Sequence, residues 1–226
     1  MSGLDIPLRW LGQNAAENLG LFGQHAWLAA VPLLVGLLLS IPVGALASKY
    51  RAAYTPTITV TGLLFTLPSL AVFVILPGVL GTQILDPINV VVALSIYTFA
   101  LLVRVVADGL GSVPEEVRQS ADSMGYKPLQ RFFSVDLPIA VPVIIAGLRV
   151  AAVSNVSIVS VAALLGVPQL GQLLTEGFQL AFYTPIIVGI VGCLVLAAIF
   201  DGLILLAGRL LTPWQSSQPR LAGRIA

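Results

Sequence analysis

Residues 108–138, DGLGSVPEEVRQSADSMGYKPLQRFFSVDLP, form a polar interruption between two long apolar runs. Only 9% of the chain is charged, yet this stretch holds Asp108, Glu115, Glu116, Arg118, Asp122, Lys127, Arg131 and Asp136. It carries its own helix punctuation. Ser112-Val113-Pro114-Glu115 has the form of a capping box, with a serine N-cap, a proline in the first turn and a glutamate three residues on. Gly125 supplies a stop for that helix and Pro128 a start for a second one. Val117, Ala121 and Met124 recur at i, i+4, i+7, which predicts an apolar face on the first helix. Leu129, Phe132 and Phe133 follow on the second. A compact helix–turn–helix carrying outward apolar residues between two spans predicts a docking surface for a partner.

The surroundings of this stretch are those of a membrane protein. Of 226 residues 58% are hydrophobic, and the mean hydropathy is +1.00. Soluble domains run at ~45–50% apolar residues. A net charge of +1 with no clustered basic face argues against nucleic acid as a partner. The single cysteine, Cys193, lies in an apolar run, which leaves no disulfide framework and no metal site. No basic n-region with a small-residue cleavage site opens the chain, so no removable leader is read.

Taken in order, residues 1–24 mix apolar and polar residues and predict an amphipathic interfacial helix starting after Pro7. Spans are expected at about 25–48, 57–80, 87–107, 138–165 and 184–211, each long enough for a hydrocarbon core of ~30 Å. Pro32 and Pro42 are expected to kink the first span. Residues 166–183 are too polar to cross and predict a short helix at the far surface. A transmembrane domain over 25–212 and a cytoplasmic tail over 213–226 complete the division. With the 108–138 loop inside, Lys49, Arg51, Arg118, Lys127, Arg131, Arg209, Arg220 and Arg224 fall on the cytoplasmic side and Arg9 alone outside. That bias places the N-terminus outside and the C-terminus inside, with Trp27 and Trp214 near the two interfaces.

No catalytic constellation is visible. There is no Gly-x4-Gly-Lys-Ser/Thr loop for ATP, and no His/Cys cluster for a metal. His25 reads as an interfacial residue. Arg104, near the inner end of its span, reads as a snorkelling residue. Arg149 lies deeper, with Asp108 and Asp201 as candidate partners and the inner part of a pathway as its alternative place. Ser154, Asn155, Ser157 and Ser160 are candidates to line a polar pathway, or else to pack helices closely and bond across them.

The spacing Gln119-Ser120-Ala121-x3-Gly125-x9-Val135-x-Leu137-Pro138 resembles the Glu-Ala-Ala loop of permease subunits in binding-protein-dependent ABC importers. Gln119 stands where that family has glutamate, Ser120 where it has the first alanine, and Glu115 and Glu116 are neighbouring carboxylates. Thr66-Leu67-Pro68-Ser69-Leu70, Ala146-Gly147-Leu148-Arg149 and Leu164-Leu165-Gly166-Val167-Pro168-Gln169-Leu170-Gly171 are similar to segments of permeases for glycine betaine, choline and carnitine. Val-Pro-Gln here interrupts the glycine run of those permeases. The resemblance implies an all-α integral membrane protein with about five transmembrane helices and a coupling loop between the third and fourth. It implies ATP bound and hydrolysed by a separate ATPase docked on Glu115, Glu116, Gln119, Ser120, Ala121, Gly125, Leu137 and Pro138. It also implies a second permease chain, an extracytoplasmic binding protein, and a pathway touching Pro68, Ser69 and Arg149. The alternatives are an amino-acid permease such as one for methionine, an ion-coupled secondary transporter, and a membrane scaffold.

Overall fold

A computed structural model describes residues 5–214, the side chains of 5–8 excepted, so the expected tail lies almost wholly outside the described residues. Among the described residues all regular elements are helical. They are α1 (Asp5–Gln13), α2 (Ala15–Lys49), α3 (Arg51–Phe65), α4 (Ser69–Leu80), α5 (Pro87–Gly111), α6 (Glu115–Ser123), α7 (Pro128–Arg131), α8 (Leu137–Val161), α9 (Gly171–Gln179) and α10 (Tyr183–Leu211). A π-turn, Phe132–Asp136, joins α7 to α8, and a 3-10 turn, Ala162–Leu165, follows α8. Ala15–Lys49, Pro87–Gly111, Pro128–Leu165 and Tyr183–Leu211 are each long and apolar enough to cross a membrane. The pair α3 and α4 is together long and apolar enough for a fifth, so the described residues hold four to five spans, as the composition led one to expect of a multi-pass membrane protein.

The stretch expected as one span over 57–80 is two helices: α3 and α4 meet at 96°. The break falls at Thr66-Leu67-Pro68. Pro68 has no N–H and drives Leu67 out of helical geometry. Pro68 itself is extended, at φ −64° and ψ 124°. The Thr66 hydroxyl donates back to Leu63 O at 2.7 Å. Tyr97 on α5 donates its hydroxyl to Leu67 O at 2.7 Å, and its ring meets Phe65 edge-on at 6.1 Å. A carbonyl freed at membrane depth thus finds a donor on a neighbour.

The first span also differs from expectation. α2 begins at Ala15 and runs 35 residues, roughly 50 Å at ~1.5 Å per residue, with Pro32 and Pro42 inside it. Residues 15–24 therefore prolong the span, and only α1 remains as a separate N-terminal helix. Trp10 of α1 packs edge-on against Phe182 at 6.3 Å. His25 is not interfacial in surroundings: it is fully buried, with Nδ1 3.0 Å from Gln169 Oε1 and Nε2 3.0 Å from Val156 O. Gln169, equally buried, also accepts from Gly171 N–H and donates to Ser160 O. Gln169 of the Val-Pro-Gln stretch thus fastens the loop before α9 to α2 and α8.

α2, α5 and α8 form the centre, and small residues let them approach. A Cβ on Gly36 would lie 2.5 Å from the Thr98 side chain, and one on Gly44 2.7 Å from Val106. Ser40, fully buried, lies between them at the same four-residue spacing. In lipid, where apolar transfer gives helices no reason to associate, such close packing is what holds them. Asn155 adds polar glue, accepting from Thr98 Oγ1 at 3.1 Å and donating to Ala29 O at 3.3 Å. Asp86 caps α5 through Ile88 N–H, with Pro87 in the first turn.

Candidate functional site

The loop between α5 and α8 is a clamped helix. α6 starts after Pro114, which is its N-cap; the expected capping box does not form. Ser112 instead ends α5, its hydroxyl donating to Gly109 O at 2.7 Å. The glutamates Glu115 and Glu116 sit in the first turn of α6, where carboxylates suit the helix dipole. Gly125, at φ +85°, stops α6 as expected. Gly125 N–H bonds Asp122 O and Tyr126 N–H bonds Ala121 O, the two bonds of a Schellman motif. The second helix is not separate: Pro128 to Leu165 is one continuous helical run. Within it Leu137 N–H reaches back five residues to Phe132 O, and Pro138, lacking an N–H, cannot restore the tighter spacing.

The π-turn buries Asp136 beneath α6. Arg118 Nε lies 3.3 Å from Asp136 Oδ1, and Arg131 Nε 3.5 Å from Oδ2. Arg118 also donates to Leu110 O at the end of α5 at 2.6 Å, and Arg131 pairs with Asp122 of α6. Four elements therefore meet on one carboxylate and two guanidiniums. Sequence reasoning missed this clamp; its only trace was an aspartate at the point where the polar loop turns apolar.

What faces outward on α6 is mixed. Glu115, Glu116, Gln119 and Ser120 are exposed, and Ser120 donates to Glu116 O. Ala121 is 1% exposed while Met124 is 69% exposed, so the expected apolar face is split between the body and the outside. Leu129 and Phe133 are exposed beside it, and Leu137 and Pro138 are half-buried at the foot of α8. A cavity of about 510 Å³ separates Lys49, Leu46 and Pro42 of α2 from Arg118, Leu129 and Phe132. Beside it Arg104 pairs with Asp108 at 3.6 Å, and Tyr54 donates to Asp108.

The membrane-depth candidates divide. Asn155 is buried between α2, α5 and α8, and Ser160, half-exposed, faces Cys193 of α10 at 3.6 Å. Ser157 is exposed and Ser154 half-exposed. Pro68 is exposed at the helix break, with Ser69 half-buried beside it. Arg149 binds Asp201 of α10 by two hydrogen bonds, Nε to Oδ1 at 2.6 Å and Nη2 to Oδ2 at 3.0 Å. Of the two partners anticipated, Asp201 is the real one.

Comparison with known proteins agrees with this architecture. The chain is 30% identical over 209 residues to the osmoprotectant import permease OsmW of Salmonella typhimurium, covering 91% of this chain and 97% of that one. It is 25% identical to the glycine betaine/carnitine/choline permease OpuCB of Bacillus subtilis over 91% of this chain and 94% of that one. A chain of the MetNI methionine ABC transporter, solved in inward-facing conformations, superposes with a TM-score of 0.68 at 21% identity, covering 95% and 99% of the two chains. That likeness fixes the fold as that of a type I ABC importer permease. Residues 36–212, which span the broken helix, the clamped loop and the last helix, match a single family model, and the chain belongs to the binding-protein-dependent transport system inner membrane components.

Proposed function

We propose that this chain forms the translocation pathway of an ABC importer for compatible solutes of the glycine betaine, carnitine and choline class. The observation that carries the reading is the exposed α6, held rigidly on the foot of α8 by Arg118, Arg131 and Asp136. A lever of this kind passes motion from a cytoplasmic partner into a span. ATP is bound and hydrolysed by that partner, an ATPase docking on the outward residues Glu115, Glu116, Gln119 and Ser120 and on the loop around Gly125. A second permease, a further copy or a sister chain, completes the pathway, and an extracytoplasmic binding protein delivers the solute. ATP-driven closure of the ATPases then favours an outward-open arrangement, a population shift transmitted through the loop. The loop lies in the cytoplasm with the C-terminus, and the N-terminus lies outside. The gathering of Lys49, Arg51, Arg118 and Arg131 around the cavities at one end of the bundle supports that orientation.

The solute class rests on likeness to the osmoprotectant and glycine betaine permeases. Labelled glycine betaine uptake into vesicles holding the assembled importer tests it. Uptake that requires ATP supports the reading. Uptake driven by an ion gradient, or none under either drive, refutes it.

A further inference from the structure

We infer that Arg149 and Asp201 form a station for a zwitterion within the pathway, resting on the compatible-solute function proposed above. Arg149 lies twelve residues into α8, and Asp201 ten residues before the end of α10. Both stand roughly 15–18 Å above the inner helix ends, within the membrane-spanning lengths of α8 and α10. Yet their side chains keep 40% and 31% of their exposure. A charged pair open to hydrocarbon at that depth is costly, so this face of the chain meets water or protein. Arg149 lines a cavity of about 220 Å³ together with Pro142, Ala146, Leu205, Gly208 and a second cation, Arg209.

The neighbouring residues extend the same strip. Val153 and Ser157 follow Arg149 at i+4 and i+8 on α8 and are both exposed. The guanidinium of Arg149 and, two turns on, the hydroxyl of Ser157 thus lie along one open strip of α8, with the Asp201 carboxylate bonded to the guanidinium from α10.

Glycine betaine carries a carboxylate and a quaternary ammonium one methylene apart, which is the complement of this pair. On entry its carboxylate takes the place of Asp201 on the Arg149 fork, a geometry that suits bidentate recognition. Its ammonium, which has no proton to donate, takes the place of Arg149 beside Asp201 by charge alone. Charges exchange partners, and none is left unpaired at low dielectric. Choline, which lacks the carboxylate, engages Asp201 and gains nothing from Arg149.

The test is uptake of labelled glycine betaine and labelled choline by the assembled importer in ATP-loaded liposomes, with ATP hydrolysis followed in parallel. Arg149→Gln is expected to lower the betaine-to-choline uptake ratio about tenfold at unchanged hydrolysis, and Asp201→Asn to lower both solutes. Where Arg149→Gln does not assemble, the same comparison is made by adding it to Asp201→Asn, whose amide still bonds a glutamine. A ratio within about twofold of wild type overturns the station, as does a parallel fall of both solutes with hydrolysis, the mark of a structural or subunit-seam role. A wild type that carries choline but not betaine overturns it as well. If wild type carries betaine alone, betaine moved per ATP replaces the ratio, with the same fall expected and an unchanged value overturning the station. A wild type that carries neither solute removes the solute assignment itself, and the station with it.

Discussion

Arg118 and Asp136, on opposite sides of the loop turn, meet at 3.3 Å, and Asp136 shares its second oxygen with Arg131. The carboxylate side chain is 10% exposed. It therefore ties the exposed helix α6 to the helix that crosses the membrane.

Asp136→Asn keeps the shape and removes the shared charge. Both arginines lose the carboxylate they share while Arg131 keeps Asp122 and Arg118 keeps Glu115, and the loss of stability is expected at about 1–3 kcal/mol, below that of a fully buried pair. Thermal melting in detergent reads that cost. Membrane insertion is retained, while solute moved per ATP hydrolysed falls. Unchanged transport stoichiometry would mean the clamp does not transmit motion.

Gly125 has nothing within 4 Å of where a Cβ would lie, so any penalty there is backbone strain alone. At φ +85° a valine is expected to cost about 1–2 kcal/mol and to unwind the end of α6. ATPase co-purification should drop with Gly125→Val and largely return with Gly125→Asn, which tolerates the left-handed region. Equal retention of the partner by both variants would show that the stop is dispensable.

Gly36 and Gly62 make a contrast. Gly36→Ala puts a methyl against Thr98 and the Phe99 backbone and should destabilise the α2–α5 seam by about 1–3 kcal/mol. Gly62 in α3 meets nothing within 4 Å, and Gly62→Ala should be neutral or gain up to about 1 kcal/mol. Melting temperatures of the two variants in one detergent decide the matter.

Tyr97→Phe removes the donor to Leu67 O at the 96° break, at a cost of about 1 kcal/mol. Spin labels at the exposed positions Leu63 and Val74, one on each arm, should give a broader distance distribution than in wild type. An unchanged distribution would mean that Pro68 alone sets the bend.

Much of this was legible in advance. Apolar runs located four continuous spans and the bent pair α3 and α4, because lipid demands apolar helices of that length. Gly125 announced the end of α6, because few other residues adopt its conformation. The polarity of residues 166–183 correctly placed a short helix there. Long-range partners were not legible. Nothing local ties Tyr97 to Leu67, thirty residues away, so 57–80 read as one span where the chain makes a near right angle at Pro68. Ser112 fits a capping box in sequence but is taken by the end of α5. His25 looked interfacial because Gln169, its partner, lies 144 positions on. The spacing of Gly36, Ser40 and Gly44 was in plain view, and its meaning as a helix seam emerged only with α5 against it.

The most direct test of the account is to purify this chain from its own membrane in mild detergent and identify what stays bound. The account predicts a nucleotide-binding ATPase together with a permease partner, and cross-linking of a Gln119→Cys variant to that ATPase. A chain that emerges with no nucleotide-binding protein, and whose position 119 cross-links to none, would contradict the coupling role of residues 108–138.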